Sequence, residues 1–225
     1  MRRALNIDLG ELGGEPEELY ALADVANIAC GGHAGDDASM RAAALFAARY
    51  RTRLAAHPSY EDRAGFGRVS MSVAPAELRE SIRAQCAALA RVAAPTRVGL
   101  VKPHGALYHD AARSEIVAEA LLDGALEALG DVEIVGPPWG ELAAAAGRRG
   151  LSYLREGFAD RAYLPSGRLV PRADAGAMID EPSEAAAQAV RLVTGGLDTI
   201  CVHGDGPRAV EVARAVQRAL AALPA

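Results

Sequence analysis

The sequence predicts an α/β fold in which parallel strands form a seven-stranded (β/α) barrel-like sheet. Seven short apolar runs recur at intervals of roughly 32 residues, with helix-sized segments between them, and this alternation is typical of parallel strands joined by right-handed crossovers. Titratable residues follow several of these runs directly. A barrel would bring all of these strand ends together, whereas a doubly wound open sheet would gather them only at its switch point. We therefore predict one barrel-like domain over residues 1–225.

The individual elements can be assigned in chain order. Strands are predicted near 3–8, 25–30, 52–57, 98–102, 132–136, 151–155 and 198–202. Helices are predicted over 15–23, from Asp36 or Asp37 to about Tyr50, over 75–92, over 114–129 and after Gly206-Pro207. Pro16 suits a first helical turn and Asp36 or Asp37 suits an N-cap. The segments 58–74 and 156–180 are rich in Gly, Pro and charge, so we expect active-site loops there.

Composition excludes several partner classes. The formal net charge is −5 and charges of both signs are interspersed, which argues against nucleic acid and anionic membranes. No apolar run approaches the roughly 20 residues that span a bilayer, and Asn6 and Asp8 interrupt any signal-peptide core. Cys30 and Cys201 lie within predicted strands, where packing is the simpler interpretation, and the chain has no CxxC. We expect a cytoplasmic protein.

Histidines end four of the predicted strands. The four are His33, His57, His104 and His203, and the first strand ends in the same way on Asp8. The carboxyl ends of parallel strands are where barrel enzymes place their chemistry, so these side chains are expected to converge on one active site. His109 lies several residues into the next segment and is predicted to be non-catalytic.

Charged residues beside these strand ends have alternative interpretations. Glu11, close to Asp8, can act as a ligand or base, or can cap a turn. Lys102 can bind a carboxylate or stabilise an oxyanion, or can reach solvent at the barrel rim. The loop around His33 contains Gly31, Gly32 and Gly35, so it can bind an anion through its backbone or can form only a tight turn.

A second charged group is predicted in the loop after the sixth strand. Asp160 and Arg161 can form a structural ion pair, or Asp160 can orient a histidine while Arg161 grips an anion. Arg172 is a further candidate anion clamp. The predicted catalytic residues are Asp8, His33, His57, His104, Asp160 and His203, and the predicted substrate-binding residues are Glu11, Lys102, Arg161 and Arg172.

Several long motifs resemble those of the LamB/YcsF family. They are Asn6-Ile-Asp8-Leu-Gly-Glu11, Ala26-Asn-Ile-Ala-Cys-Gly-Gly-His33-Ala-Gly-Asp36, Ala56-His57-Pro58, Gly65-Phe-Gly-Arg68, Val101-Lys-Pro-His-Gly-Ala-Leu-Tyr108, Phe158-Ala-Asp-Arg161, Val170-Pro-Arg172 and Cys201-Val-His-Gly-Asp205. They follow the family order over nearly the whole chain. The chain departs from the family pattern at Gly32, where Phe is usual, at Ile7, where Cys is usual, and in a shorter segment between Val193 and Asp198.

This resemblance implies a barrel related to polysaccharide deacetylases and glycoside hydrolases. It also implies that 5-oxo-L-proline is opened to L-glutamate with ATP as co-substrate, by a 5-oxoprolinase complex in which the family provides one subunit beside two others. The sequence contains neither GxxxxGK[ST] nor GxGxxG, so we expect the partner subunits to handle the ATP. Self-association into a homo-oligomer stays open.

Two other functions use the same residues. A deacetylase-type hydrolase would bind a divalent metal, and Asp8, His57 and His104 are the predicted ligands if a metal is present. The histidines lack HxxxH spacing, and aromatic residues for stacking on sugars make up only 4% of the chain, which argues against this alternative. A non-catalytic protein that only binds a small anion within the complex is the remaining possibility.

Overall fold

Seven parallel strands form a closed barrel in the computed structural model, which describes residues 4–224. Each strand pairs with its sequence neighbours, and β7 pairs with β1 to close the sheet. The strands are β1 Ala4–Leu9, β2 Val25–Ala29, β3 Arg53–His57, β4 Val98–Val101, β5 Glu133–Gly136, β6 Tyr153–Phe158 and β7 Thr199–His203. The predicted seven-stranded parallel barrel is confirmed. Arg3, at the start of the first predicted strand, lies outside the described residues.

Eight helices connect these strands or follow the last of them within the described residues. They are α1 Glu18–Leu22, α2 Asp37–Tyr50, α3 Pro75–Ala93, α4 Gly105–Arg113, α5 Glu115–Leu129, α6 Glu141–Arg148, α7 Pro182–Thr194 and α8 Ala209–Ala221. The predicted cap at Asp36 is present, because its carboxylate accepts the N–H groups of Ala38 and Ser39. Within the described range 4–224, no helix combines the length and apolar character needed to cross a membrane.

The strands direct alternate side chains to opposite faces of the barrel wall. Leu5, Ile7 and Leu9 pack in the main hydrophobic core between the sheet and the helices. Asn6 and Asp8, at the alternate positions of β1, are also buried, but their side chains bond to Asn27 on β2 and to Lys102 just after β4, respectively. The two-residue period of β1 therefore separates an apolar outer face from a polar inner face.

Two predicted boundaries are wrong. The sixth strand, predicted over 151–155, runs from Tyr153 to Phe158, so Glu156 lies inside the barrel wall and not in a loop. The helix predicted over 15–23 is shorter, because Glu15 accepts the backbone N–H groups of Gly10, Glu11 and Leu12 and so closes the turn after β1. In both places a charged side chain has a specific buried or backbone partner that local sequence patterns do not reveal.

Candidate active site

A pocket of about 1020 Å³ opens at the carboxyl ends of the strands. Its lining includes residues at or just after the ends of β1, β3, β4 and β7 and one within β6. These residues are Asp8, His57, Lys102, His104, Glu156 and His203. All of them are buried, and His33 and Glu11 lie directly behind them. The predicted convergence of strand-end residues on one mouth of the barrel therefore matches the structure.

Three histidines surround one carboxylate oxygen, and we call Glu11, His33, His57 and His104 the histidine cluster. Glu11 Oε1 lies 3.0 Å from His33 Nε2, 3.3 Å from His104 Nδ1 and 3.8 Å from His57 Nε2. The rings of His33 and His104 stack in parallel with their centroids 3.6 Å apart. Burial alone would raise the pKa of Glu11, but the neighbouring His104 and His33 hold it well below its usual range.

Backbone carbonyls fix the orientation of two cluster rings. His57 Nδ1 lies 2.7 Å from the carbonyl oxygen of Lys102, and His104 Nε2 lies 2.9 Å from that of Phe66. Gly67 follows Phe66 with φ +65°, and a Cβ there would come within 2.9 Å of His33 Cβ. Glycine is therefore required for this loop to approach the cluster. Burial lowers the pKa of His33 to about 4 and also lowers that of His104.

Lys102, the only lysine in the chain, lies inside the barrel and is 1% exposed. Its Nζ lies 2.7 Å from Asp8 Oδ1 and 3.0 Å from Glu156 Oε1. It also lies 3.0 Å from Cys201 Sγ. Burial opposes the charge on both members of the Lys102–Asp8 pair. Their attraction nevertheless raises the pKa of Lys102 and lowers that of Asp8. The predicted alternative of a solvent-exposed lysine at the rim is wrong.

Two further polar groups complete this interior network. Asn27 donates to Asp8 Oδ1 at 2.7 Å and to Asn6 Oδ1 at 2.6 Å. Glu156 contacts Lys102, but neither of its carboxylate oxygens has a partner in hydrogen-bond geometry among the described residues. Burial raises the pKa of Glu156, and the nearby Lys102 charge only partly offsets this. The network therefore fixes Asp8 as an anion whose second oxygen, Oδ2, faces His57 at 3.4 Å.

A separate histidine–carboxylate pair lies on the other side of Asp8. His203 Nδ1 lies 2.9 Å from Asp160 Oδ2, and the backbone N–H of His203 donates to the same oxygen at 2.8 Å. His203 Nε2 points towards Asp8 Oδ2 at 3.9 Å. Burial would lower the pKa of His203, but Asp160 raises it above its usual value. Of the two predicted interpretations of Asp160, the structure supports the one in which it orients a histidine.

Six arginines line the pocket wall beyond these groups, and three of them interact electrostatically with one another: Arg68, Arg161 and Arg172. Arg172 Nη2 donates to both oxygens of Asp205 at 3.0 and 2.9 Å, and Arg68 Nη2 lies 3.2 Å from Asp205 Oδ2. Arg161 donates to the carbonyl oxygen of Val170 at 2.7 Å, so part of its guanidinium holds the loop. Burial lowers the pKa of Arg68 and Arg161, and Arg172 lowers both further. The three cations are thus close together and favour an anion in the pocket.

The structure brings all ten predicted site residues to this mouth, in an arrangement that the sequence did not specify. The sequence grouped Glu11 with the substrate ligands, whereas its carboxylate lies among the histidines. It grouped Asp8, His57 and His104 as possible metal ligands, whereas the compact group is Glu11, His33, His57 and His104, with potential ligand atoms within 4.8 Å of one another. Asp8 is instead held by Lys102 and Asn27.

Four polar residues of the site were not predicted to belong to it. They are Asn27, Arg68, Glu156 and Asp205. A signal was present for two of them, because Asn27 interrupts an otherwise apolar strand and Glu156 follows one directly. Arg68 and Asp205 lie in loops, where charged residues are common, so their pairing depends on tertiary structure alone.

Similarity to known proteins covers almost the whole chain. The LamB/YcsF family model matches residues 4–224. A protein of Nocardia farcinica, named as the A subunit of 5-oxoprolinase, is 44% identical, over 97% of this chain and 95% of its own length. A protein of the same name from Pyrococcus horikoshii is 39% identical, over 98% and 94%. The crystal structure of the lactam utilization protein from Thermus thermophilus superposes with a TM-score of 0.89 at 35% identity, covering 98% of this chain and 96% of that one.

These matches agree with the fold. The strand-end motifs that suggested a resemblance are the ones that form the pocket, and the solved structure shares the whole barrel. The chain belongs to the LamB/YcsF family.

Proposed function

We propose that this chain is the lactam-hydrolysing component of an ATP-dependent 5-oxoprolinase, which converts 5-oxo-L-proline to L-glutamate. The observation that carries the proposal is the near-full-length similarity to proteins named as the A subunit of 5-oxoprolinase. The site supports the proposal, because hydrolysis of a small anionic lactam needs positively charged side chains to bind the carboxylate, an acid and a base. We further propose that the chain acts in the cytoplasm.

The arginines bind the substrate carboxylate. Arg172 and Arg68 both bind the single carboxylate of Asp205, so the pair carries one positive charge in excess. Their remaining N–H groups can donate to the carboxylate of the substrate. Lys102 is less suited to this task than the sequence suggested, because Asp8 and Glu156 already neutralise it. We therefore assign substrate binding first to Arg172 and Arg68, and assign to Lys102 the role of holding Asp8.

Asp8 and His203 supply proton transfer. Asp8 is held as an anion at the pocket floor, where its free oxygen can accept a proton from water. Asp160 raises the pKa of His203 and so favours its protonated form, and His203 lines the same pocket, where it can donate to the lactam nitrogen as the C–N bond breaks. The oxygen of water goes to the carbonyl carbon, and the nitrogen leaves as the amine of glutamate.

ATP activates the lactam before this step. Transfer of the γ-phosphoryl group to the lactam oxygen releases ADP and makes the ring carbon electrophilic. Water then breaks the C–N bond to give an acyl phosphate, and a second water releases phosphate and glutamate. Because the chain carries neither of the two phosphate-loop motifs, we assign the phosphoryl transfer to partner subunits.

Reconstitution tests this division of labour. Glutamate release from 5-oxoproline and ATP is measured for the purified chain, for the products of neighbouring genes, and for their mixture. We expect turnover only in the mixture, and ATP-dependent turnover by this chain alone would refute the assignment of ATP to partners. A His57→Ala chain that still co-purifies with the partners but restores no turnover excludes a purely anion-binding role.

A further inference from the structure

We propose that Glu11, His57 and His104 form a binding site for one divalent transition-metal ion of the zinc class, with His33 positioning Glu11. Glu11 Oε1 and His104 Nδ1 are 3.3 Å apart, Glu11 Oε1 and His57 Nε2 are 3.8 Å apart, and the two nitrogens are 3.1 Å apart. A circle through these three atoms has a radius of about 2.0 Å. This radius matches Zn–N and Zn–O bonds of about 2.0–2.2 Å.

The direction of the ring lone pairs supports a cation at this point. The carbonyl oxygens of Lys102 and Phe66 can only accept hydrogen bonds, so His57 Nδ1 and His104 Nε2 carry the N–H groups. In the neutral rings, His57 Nε2 and His104 Nδ1 therefore present lone pairs to each other across 3.1 Å. Two lone pairs and a carboxylate oxygen repel one another unless a positive charge lies between them.

A metal ion satisfies this arrangement better than a proton does. One proton can bridge a single pair of these atoms, whereas one metal ion can lie at a bonding distance of about 2.0 Å from all three. A metal-bound histidine usually donates its other ring N–H to a carbonyl or carboxylate, which is what both rings do here.

His33 completes the site without acting as a ligand. Its Nε2 lies 3.0 Å from Glu11 Oε1 and donates to it, while its ring stacks on His104. Its Nδ1 is buried and has no hydrogen-bond partner among residues 4–224, which agrees with a neutral ring protonated on Nε2. His33 thus holds both ligands that it touches.

The donor set selects the class of ion. Two imidazole nitrogens and one carboxylate oxygen suit zinc, iron, cobalt or nickel, whereas magnesium and calcium prefer oxygen ligands. Three protein ligands are also the usual number in catalytic zinc sites, where water takes the fourth position. Asp8 Oδ2, 3.4 Å from His57 Nε2, lies close enough to the cluster to accept a proton from such a water.

Metal binding is measured on the full chain without substrate, ATP or partners, so its outcome is independent of the proposed function. The chain is stripped with a chelator and titrated with Zn²⁺ by calorimetry and with Co²⁺ by visible absorption. We expect one ion per chain, Co²⁺ bands of a four-coordinate site, and no saturable binding of Mg²⁺. Absence of saturable Zn²⁺ and Co²⁺ binding by the folded chain would overturn the proposal and leave a shared proton at the site.

Variants assign the ligands. We expect Glu11→Gln and His57→Asn to weaken Zn²⁺ binding by about 100-fold or more, and His33→Asn to weaken it by about 10- to 100-fold. The matched control is His109→Asn, a histidine outside the cluster, which should bind Zn²⁺ as the wild type does. Equal affinity in Glu11→Gln, His57→Asn and His109→Asn would contradict the assignment.

X-ray absorption of the zinc-loaded wild type keeps the test independent of how the variants fold. We expect a first shell with two imidazole nitrogens at about 2.0–2.1 Å and no sulfur scatterer. A thiolate in the first shell would instead show that a cysteine binds the ion, and it would contradict the proposed site.

Discussion

The two sides of Asp8 contain the same residue type at the same place in the fold but give it opposite properties. On one side, His33, His57 and His104 share the single carboxylate of Glu11. On the other side, His203 has the Asp160 carboxylate to itself. Burial lowers the pKa of His33 and His104 on the first side, whereas Asp160 raises the pKa of His203 on the second.

This difference shows that the strand end fixes where a histidine lies, while its partners fix its charge. In His33 and His104, burial and the neighbouring rings both oppose the cation and lower the pKa. A histidine with its own carboxylate keeps its proton. Titratable groups whose pKa values are shifted in opposite directions in this way indicate separate proton-accepting and proton-donating roles. The pocket therefore has a side rich in lone pairs and a side that can donate a proton.

The largest expected effect comes from Asp8→Asn, which removes the anion between the two sides. The amide keeps the shape of the side chain but cannot accept a proton, so we expect kcat to fall by about 10²- to 10⁴-fold. Glutamate release is measured in the reconstituted enzyme at saturating substrate. Asp37→Asn, at an exposed carboxylate on α2, is the control, and an Asp8→Asn enzyme as fast as that control would contradict the role of Asp8.

Lys102→Met tests what holds Asp8 in place. Removing the ammonium leaves Asp8 and Glu156 buried without a cation, so we expect the free energy of unfolding to fall by about 3–5 kcal/mol. Urea denaturation measures the loss. Adding Glu156→Gln to this variant should restore part of it, because one of the two uncompensated carboxylates is then removed.

The single lysine also permits a direct measurement of its charge. Lysine labelled with ¹³C at Cε gives one protein signal, since Lys102 is the only lysine in the chain. Because Asp8 and Glu156 outweigh the effect of burial and raise the pKa of Lys102, the signal should not titrate where a free lysine does. A signal that titrates like free lysine, or an Arg91→Met surface variant as destabilised as Lys102→Met, would show that the network contributes little.

Asp160→Asn should make His203 resemble the histidines on the other side. With the carboxylate gone, burial and Arg172 lower the pKa of His203 and only Asp8 opposes them, so the pKa should fall, as histidine NMR signals can show. A raised folded pKa stabilises the protein below the unfolded value of about 6.5, and this stabilisation is lost as pH rises through the folded pKa. We therefore expect Asp160→Asn to cost about 1–3 kcal/mol near pH 6 and less at alkaline pH.

The control for this prediction is Asp205→Asn, which removes a pocket carboxylate that pairs with arginines and not with a histidine. Its destabilisation should not follow the titration of His203. If both variants lose the same stability at every pH, the charge of His203 does not depend on Asp160.

The smallest expected effect is on substrate affinity. Arg172→Ala removes one of the two guanidiniums on Asp205, so we expect the KM for 5-oxoproline to rise about tenfold with kcat little changed. Steady-state kinetics of the reconstituted enzyme measure this. Arg91→Ala, at an exposed ion pair with Asp37, should leave KM unchanged. A fall in kcat at constant KM would contradict a role in substrate binding and would assign Arg172 to proton donation with His203.

The sequence indicated which titratable residues lie at the strand ends, but it did not indicate which of these side chains pair with one another. His33, His57, His104 and His203 end or follow apolar runs, and parallel strands must bring such ends together. Their grouping into a cluster and a separate pair depends on Glu11 turning back towards β2, β3 and β4, and on the loop after β6 bringing Asp160 to β7. Neither contact leaves a periodic signal along the chain.

The sequence by itself determined the order of strands and helices, the barrel, the mouth at which the titratable residues meet, and the family. It could do so because alternating apolar runs dictate local structure and parallel crossovers dictate topology. Tertiary structure alone decided that Glu156 lies in the wall, that Lys102 is buried, and which carboxylate each histidine faces. Those outcomes depend on distances between residues far apart in the chain, where burial and charge compete.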